Sequence, residues 1–454
     1  MTASCDRAPE LKLGIAAAFD GLINRLKYSQ YPAIQAAPLT TLDGLKAWMA
    51  LLGHIGEILA WRTNEDELTI METASNFAAA NPVMCSLSRA FMHYALFADG
   101  KLLGKRPAVV AVRSAMMQTL LPPFDEASSA RMADIMDLLC TRCEEAFSYN
   151  FKLFCFNRAR QRRNLFKAIE AWDAVQQECE ALDVEITAIH EGHDDAEQQQ
   201  YYFSSWVYTQ KLRAMTECYA LGFELELYYV NEYPMIFWYL QYLHDTRAGY
   251  LERMLKLRAA GAESKRDLLS SFARDNETIE QFLTMEAYRD HAKTKMCLGL
   301  LEVTRVLRSL GLLDVVEPDM NTEELNYVNR FRVMTHLSSP LVLQTESYME
   351  FMHKAGRKGI DPHIKVATME FQTAKAYLEQ IATTKRTDAH SLALKAEGQA
   401  LLKVCIGNLI GLRMFPWKCM AELPADAKTP MANQRRVLFD FKYHSAFPFL
   451  VREP

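Results

Sequence analysis

The chain has 454 residues, half of them apolar and a quarter charged, which is room for about three average domains and a sizeable core. Its 51 basic and 56 acidic residues leave a net charge of −5, so no global attraction to nucleic acid is expected. The opening MTASCDRAPELKLG lacks the basic leader and apolar core of a secretory signal. The most apolar run, Tyr233–Leu243, has eleven residues against the roughly 20 of a membrane span. Ten scattered cysteines suit reduced thiols better than a disulfide framework. The expectation is a soluble, cytoplasmic chain with no membrane partner.

The first chemical candidate along the chain is Gly100–Lys105 (GKLLGK). It is one residue short of a phosphate-binding loop and lacks the following Ser or Thr. Arg106–Arg113 (RPAVVAVR) is too short to assign. Cys140 and Cys143 form a lone CxxC; a structural zinc needs two further ligands at suitable spacing, so the pair reads as core thiols on a helix.

Asn157–Lys167 (NRARQRRNLFK) holds four arginines in six positions. Behind it, Leu165, Ile169, Trp172, Val175, Cys179, Leu182, Ile186 and Ile189 recur in steps of three and four and predict one amphipathic helix. Extended backward, the stripe passes through Arg162 and Arg158, while Arg160 and Arg163 point elsewhere. Arg160, Arg163 and Lys167 form either a basic patch for an acidic surface or RNA, or a plain solvated face. His190–Gln200 reads as a loop. There His190 and His193 flank Glu191 and precede Asp194 and Asp195, a metal-like composition without the HExxH spacing.

A second stripe runs through Tyr208, Leu212, Met215, Tyr219, Phe223, Val230 and Tyr233, with Glu226 on it and Glu224 off it. The alternation Phe223–Leu227 (FELEL) lies inside this longer pattern, so the helix is predicted to reach Pro234. Proline should end it and open the next, carried by Ile236, Leu240, Leu243, Tyr250, Met254 and Leu257. An inward arginine and an inward glutamate each need a partner. Arg158 or Arg162 is therefore expected to pair with Glu226, the alternative being arginine stems along the core with heads in water.

Ala259–Thr278 is polar and predicted to be a surface connection. Arg258–Glu263 (RAAGAE) and Arg308–Leu313 (RSLGLL) approach the acetyl-CoA loop Arg/Gln-x-x-Gly-x-Gly/Ala and fail at its last position. With no GxSxG elbow either, no self-contained catalytic apparatus is expected. Leu423–Asn433 reads as a loop that frees Phe439–Leu450 (FDFKYHSAFPFL), whose start, Phe439–Tyr443, alternates like a strand. This aromatic tail is too short to fold alone and should dock on its own domain or on a partner. The 34-residue tetratricopeptide spacing is not sustained. The resulting fold expectation is an all-α, multi-helix scaffold with few or no strands. Its parts are residues 1–145, 146–260, 261–422 and an aromatic docking tail, 423–454.

NRARQ at Asn157–Gln161, GFELELY at Gly222–Tyr228 with Glu232–Tyr233 and WYL at Trp238–Leu240, and the tail Phe439–Leu450 occur in an order and rough spacing that point one way. They resemble the large auxiliary subunit of the NatC N-terminal acetyltransferase complex; Phe19–Trp61 and Arg89–Phe124 resemble it more loosely. The resemblance spans most of the chain but the C-terminal part of a typical member, whose MDPKMDAGM-like motif has no counterpart in these residues. It implies a non-catalytic scaffold that positions a separate catalytic subunit for acetylating proteins that begin with Met and a bulky apolar residue. It also implies a small Sm-like subunit and ribosome association. No cofactor is implied for this chain, since acetyl-CoA is bound by the catalytic partner. The residues expected at a partner or assembly interface are Arg158, Arg160, Arg162, Arg163, Glu224, Glu226, Tyr228, Phe439, Phe441, His444 and Phe447. Glutamates near the catalytic cleft would also help orient a substrate's charged N-terminus. Two other readings stand beside this one: a stand-alone helical RNA- or ribosome-binding protein using the basic cluster at 158–167, and a zinc enzyme using Cys140, Cys143, His190 and His193.

Overall fold

A computed structural model describes residues 126–153, 158–190, 203–264, 273–310, 320–355, 359–385, 389–415 and 437–452. The chain divides into two compact units, Met1–Met116 with Pro123–Ala171, and Met117–Pro122 with Trp172–Pro454. The described residues are helical almost throughout and contain one two-stranded sheet. Among them, no helix is long and apolar enough to cross a membrane.

In the first unit, α1 (Glu126–Leu153) buries Ile135, Leu139, Cys143 and Ala146, a stripe at steps of four, four and three. Burial pushes the Cys143 thiol up to about 12, with Cys140 adding to the shift, so Cys143 is protonated at neutral pH. Neither cysteine is in a disulfide. The helix α2 (Arg158–His190) begins in this unit, where Leu165, Ala168 and Ile169 are buried and Lys167 Nζ lies 6.0 Å over the Tyr149 ring. Gly100–Lys105 and Arg106–Arg113 lie outside the described residues.

From Trp172 onward α2 belongs to the second unit. Trp172, Val175, Cys179 and Leu182 continue the predicted stripe inside it, and Trp172 meets Trp206 edge to face at 6.1 Å. The side chains of Ile186 and Ile189 are outside the described set. There follow α3 (Phe203–Glu224), a 3-10 turn (Val230–Glu232), α4 (Tyr233–Ser264), α5 (Ala273–Ser309), α6 (Met320–Phe331), α7 (Thr345–Ala355), α8 (Ile360–Ala382), α9 (Ala389–Met414), β1 (Val437–Asp440) and β2 (Phe449–Arg452). The centre is α5, which packs along α4, α8 and α9. Leu300–Leu307 of α5 is buried on every side, as expected of a helix walled in by neighbours.

Two sequence expectations need correction. The second stripe does not carry a helix to Pro234: α3 stops at Glu224, and Pro234 sits in the first turn of α4. The connection Ala259–Thr278 is helical at both ends, since α4 runs on to Ser264 and α5 starts at Ala273, with residues 265–272 outside the described set. Its RAAGAE is therefore helix rather than loop. The strand-like alternation read at Phe439–Tyr443 begins inside β1, which ends at Asp440 and pairs antiparallel so that Val437 faces Arg452 and Asp440 faces Phe449. The loops expected at His190–Gln200 and Leu423–Asn433 fall outside the described residues, apart from His190 as the last residue of α2.

Candidate assembly interface

The GFELELY motif builds the end of α3. Leu227 N–H donates to Gly222 O at 2.9 Å and Glu226 N–H donates to Phe223 O at 3.0 Å. This crossed pair is a Schellman cap, which needs a left-handed residue after the last turn. Glu226 fills that position with φ 53°, where glycine is usual. The chain then folds Tyr228 back onto Gly222. A Cβ there would sit 2.1 Å from the Tyr228 hydroxyl, so only glycine admits the ring. The hydroxyl donates to Tyr219 O at 3.2 Å, sealing the turn. Phe223 is the aromatic hub: Tyr228, Tyr233, Phe237 and Phe441 have ring centroids 5.0 to 5.7 Å from it.

Arg330 of α6 clamps the turn from outside. Its Nε and Nη2 donate to the two oxygens of buried Glu232 at 2.6 and 2.7 Å, and Nη2 also donates to Leu227 O at 2.8 Å. The guanidinium lies 5.3 Å over the Tyr228 ring. The hydrogen bond to Glu232 raises the Arg330 pKa, so its charge is permanent. Glu232 also accepts from Tyr229 N–H at 2.9 Å, and Arg308 donates to Asn231 O and Glu323, both at 3.0 Å. Planar two-point pairing of this kind fixes orientation as well as energy.

The tail docks on its own unit. Asn408 of α9, fully buried, donates to Pro448 O at 3.0 Å and accepts from Leu450 N–H at 3.1 Å. Gly407 lets Phe449 lie against the helix, where a Cβ would come within 2.9 Å of its ring. Phe447 is buried, and Phe439 and Phe441 reach Tyr233 at 5.7 and 6.1 Å. The tail thereby meets the GFELELY turn, and the two motifs form one aromatic cluster.

Behind this cluster, charges that periodicity could not assign are paired in the core. Arg247 of α4 donates to Glu286 at 2.6 Å, to Asp290 and to Thr209 O at 3.2 Å. Arg289 also donates to Glu286 at 2.6 Å, and Lys293 donates to Glu397 at 2.6 Å. Burial would raise the Asp290 carboxyl, yet Arg247 and the hydrogen-bonded His244 hold it at about 2. Burial pushes His244 down to about 4, although its Nδ1 lies 2.8 Å from Asp290. His444 of the tail has Nε2 3.8 Å from Glu397 and accepts from Ala446 N–H at 3.0 Å; burial lowers its pKa as well. A second network joins fully buried Lys211 to Asp173 at 2.7 Å and to Ser339 at 3.2 Å.

The residues expected at an interface separate into groups. Arg158 and Arg160 lie on α2 with side chains outside the described set. Arg162 is half-buried, its guanidinium 5.3 Å over Phe166, while Arg163 is exposed. Glu224 and Glu226 are exposed and Tyr228 is buried. The pairing of Arg158 or Arg162 with Glu226 loses its premise, because Glu226 lies on a turn facing solvent rather than on a buried stripe. Phe439, Phe441, His444 and Phe447 are committed to intramolecular packing. Arg330 and Tyr229, which shape the same turn, went unread, and Glu232 was read only as part of a motif. The first is on a distant helix, and the other two follow a helix end that the pattern hid. No group of three or more His, Cys, Asp or Glu placed to hold a metal occurs among the described residues, and the residues from Glu191 to Asp195 lie outside them.

The chain is similar to the rat protein named N-alpha-acetyltransferase 35, NatC auxiliary subunit, at 24% identity over 397 residues, which covers 84% of this chain and 51% of that protein. Human and Drosophila melanogaster relatives of that name, the latter a homolog, are also 24% identical, covering 84% and 81% of this chain. The chain thus spans about half the length of the curated relatives it matches. Its fold is similar to a chain in the crystal structure of the NatC complex bound to CoA, with TM-score 0.60 and 16% identity over 89% of this chain and 58% of that one. The apo NatC complex gives 0.57 and 17%, over 84% and 56%. A protein-family model described as "NAA35-like, TPR repeats" matches residues 59–450. That description names repeats, while the 34-residue spacing is not sustained among the described residues, where α5 alone, at 37 residues, exceeds one such repeat. With residues 59–450 matched, this chain belongs to the NAA35-like family.

Proposed function

We propose that the chain is a non-catalytic auxiliary subunit of a NatC-type complex, holding a catalytic acetyltransferase subunit that modifies protein N-termini. The observation that carries this reading is the family match over residues 59–450, supported by the fold likeness to chains of NatC complexes. The physics of the second unit agrees with a rigid support: several of its buried charges are engaged in ion pairs that link α2 to α3, α4 to α5 and α5 to α9. In this reading acetyl-CoA belongs to the catalytic partner. A small Sm-like subunit completes the assembly, the complex works on ribosomes in the cytoplasm, and substrates begin with Met and a bulky apolar residue. Arg158, Arg160, Arg162, Arg163, Glu224, Glu226 and Tyr228 contribute to assembly. For Tyr228, Phe439, Phe441, His444 and Phe447 the contribution is indirect, through the shape of the aromatic cluster.

Co-expression with a NatC catalytic subunit, size exclusion and acetyl transfer to a Met-Leu peptide test the proposal. Co-elution with raised activity is expected. Separate elution with no gain in activity overturns it.

A further inference from the structure

His444 engages the tail and the core through its two ring nitrogens. Nδ1 accepts from Ala446 N–H at 3.0 Å, so it carries a lone pair and the ring proton sits on Nε2. Nε2 faces the Glu397 carboxylate of α9 at 3.8 Å. Lys293 of α5 already binds that carboxylate at 2.6 Å, and Arg289 of the same helix lies 3.8 Å from it. The imidazole meets Phe447 edge to face at 5.2 Å, and Ala446, Phe447 and Pro448 follow buried. With 14% of the side chain exposed, water reaches the ring. Among the described residues, the charges around it are Glu397 of α9, Lys293 of α5 with Arg289 beside Glu397, and Glu224 at the end of α3. Burial disfavours the charged ring most and Lys293 adds to this, while Glu397 and Glu224 oppose it; the balance lowers the His444 pKa. Glu397 does not take the proton instead. Burial would raise it, but Lys293, His444 and Arg289 hold it well below the usual carboxylate range.

We propose that His444 is an acid-released latch for the aromatic tail. A proton from water bonds to the Nδ1 lone pair, since Nε2 already carries one. The new N–H then points at Ala446 N–H, donor against donor, and the imidazolium adds a cation beside Lys293 and Arg289. Turning the ring takes it away from Glu397 and Phe447; opening the turn instead draws Phe447 and Pro448 off α9. Either way the seat on α9 weakens, and the released tail uncovers Phe223 and Tyr233, which Phe439 and Phe441 meet when it is docked. A free tail histidine takes its proton near pH 6.5 and the docked one at lower pH. The docking contribution is therefore present in full above about 6.5 and is lost as pH falls toward the docked value. The latch needs nothing but this chain and stands apart from the auxiliary-subunit reading.

The test follows hydrogen exchange of residues 437–452 by mass spectrometry in the full chain from about pH 7.5 to about 5.5, corrected for the intrinsic pH dependence of amide exchange. His444→Asn is run alongside. Asparagine keeps an acceptor for Ala446 N–H in an Asx turn and takes up no proton in this range. In the wild type, tail opening should grow as pH falls below about 6.5, by at most about tenfold per pH unit for one proton, while α5 keeps its protection. In His444→Asn the tail should stay equally closed throughout. Constant protection of the wild-type tail overturns the latch. So does a His444→Asn tail that opens with the wild-type pH dependence, since another group is then the sensor. A loss shared with α4 and α5 traces the effect to His244 beside Asp290 and overturns the assignment. Where His444→Asn opens the tail outright at neutral pH, Glu397→Gln decides. Removing the anion that favours the charged ring should enlarge the acid-driven rise, and an unchanged rise overturns the latch.

Discussion

Gly222→Ala should destabilise the protein, against the helix propensity of the two residues. Alanine is favoured over glycine in a helix by up to about 1 kcal/mol. At Gly222, however, the new methyl would stand 2.1 Å from the Tyr228 hydroxyl, 2.2 Å from Cζ and 2.5 Å from Cε2, all far inside contact distance. The ring must swing away. That loses the bond to Tyr219 O, worth about 1 kcal/mol, and about 2 kcal/mol of ring burial. The net expectation is about 2 kcal/mol of destabilisation, obtained by setting that loss against the propensity gain. In a Tyr228→Ala background the obstacle is gone, and the same substitution should stabilise by up to about 1 kcal/mol. Urea midpoints of the four proteins, followed by circular dichroism, give the coupling directly. Equal effects of Gly222→Ala in the two backgrounds, or a more stable single variant, would refute the reasoning.

Asn408→Ala leaves Pro448 O and Leu450 N–H without their partner, and two lost bonds correspond to about 2 kcal/mol and roughly a 30-fold easier opening of the tail. Limited proteolysis within residues 437–452 should quicken accordingly, and the exposed control Lys442→Ala should cut at the wild-type rate. For His244 the folded pKa is depressed, so its contribution is present above the unfolded value near 6.5 and is lost as pH falls through about 4. A shift of that size corresponds to about 3 kcal/mol. His244→Gln should therefore lose distinctly less stability than wild type between pH 6.5 and 4 in chemical denaturation. Asp290 titrates near 2, below this window. An identical acid slope in the two proteins would show that His244 does not report its burial.

Period alone carried the reading of α2, because every stripe residue from Leu165 to Leu182 is buried, whichever of the two units it belongs to. It failed at Glu224 because the residues after the last turn, Glu226, Val230 and Tyr233, happen to continue the spacing while the backbone has already turned. The signal that marked the turn was Gly222 followed six residues later by a tyrosine, a pair that helical stepping cannot interpret. The candidate site was legible in its motifs but not in its surface. Burial of Tyr228 and exposure of Tyr229 depend on Arg330, which is 98 residues away from Glu232 and met only through the packing of α6. The charges of α4 and α5 were invisible for a related reason: Arg247, Glu286 and Asp290 read as solvent-facing unless their partners are known.

The seating of the tail on α9 also has a consequence for biosynthesis. Residues 437–452 leave the ribosome after α3, α4 and α9 have all emerged, so Phe223, Tyr233 and Asn408 wait without their aromatic and backbone partners until the hairpin arrives. During that interval the groove on α9 over Gly407 and Gly411 lies open, an apolar surface of the kind chaperones hold. A chain halted before Val437 would keep that groove open permanently, marking unfinished molecules by a feature that the finished ones have buried.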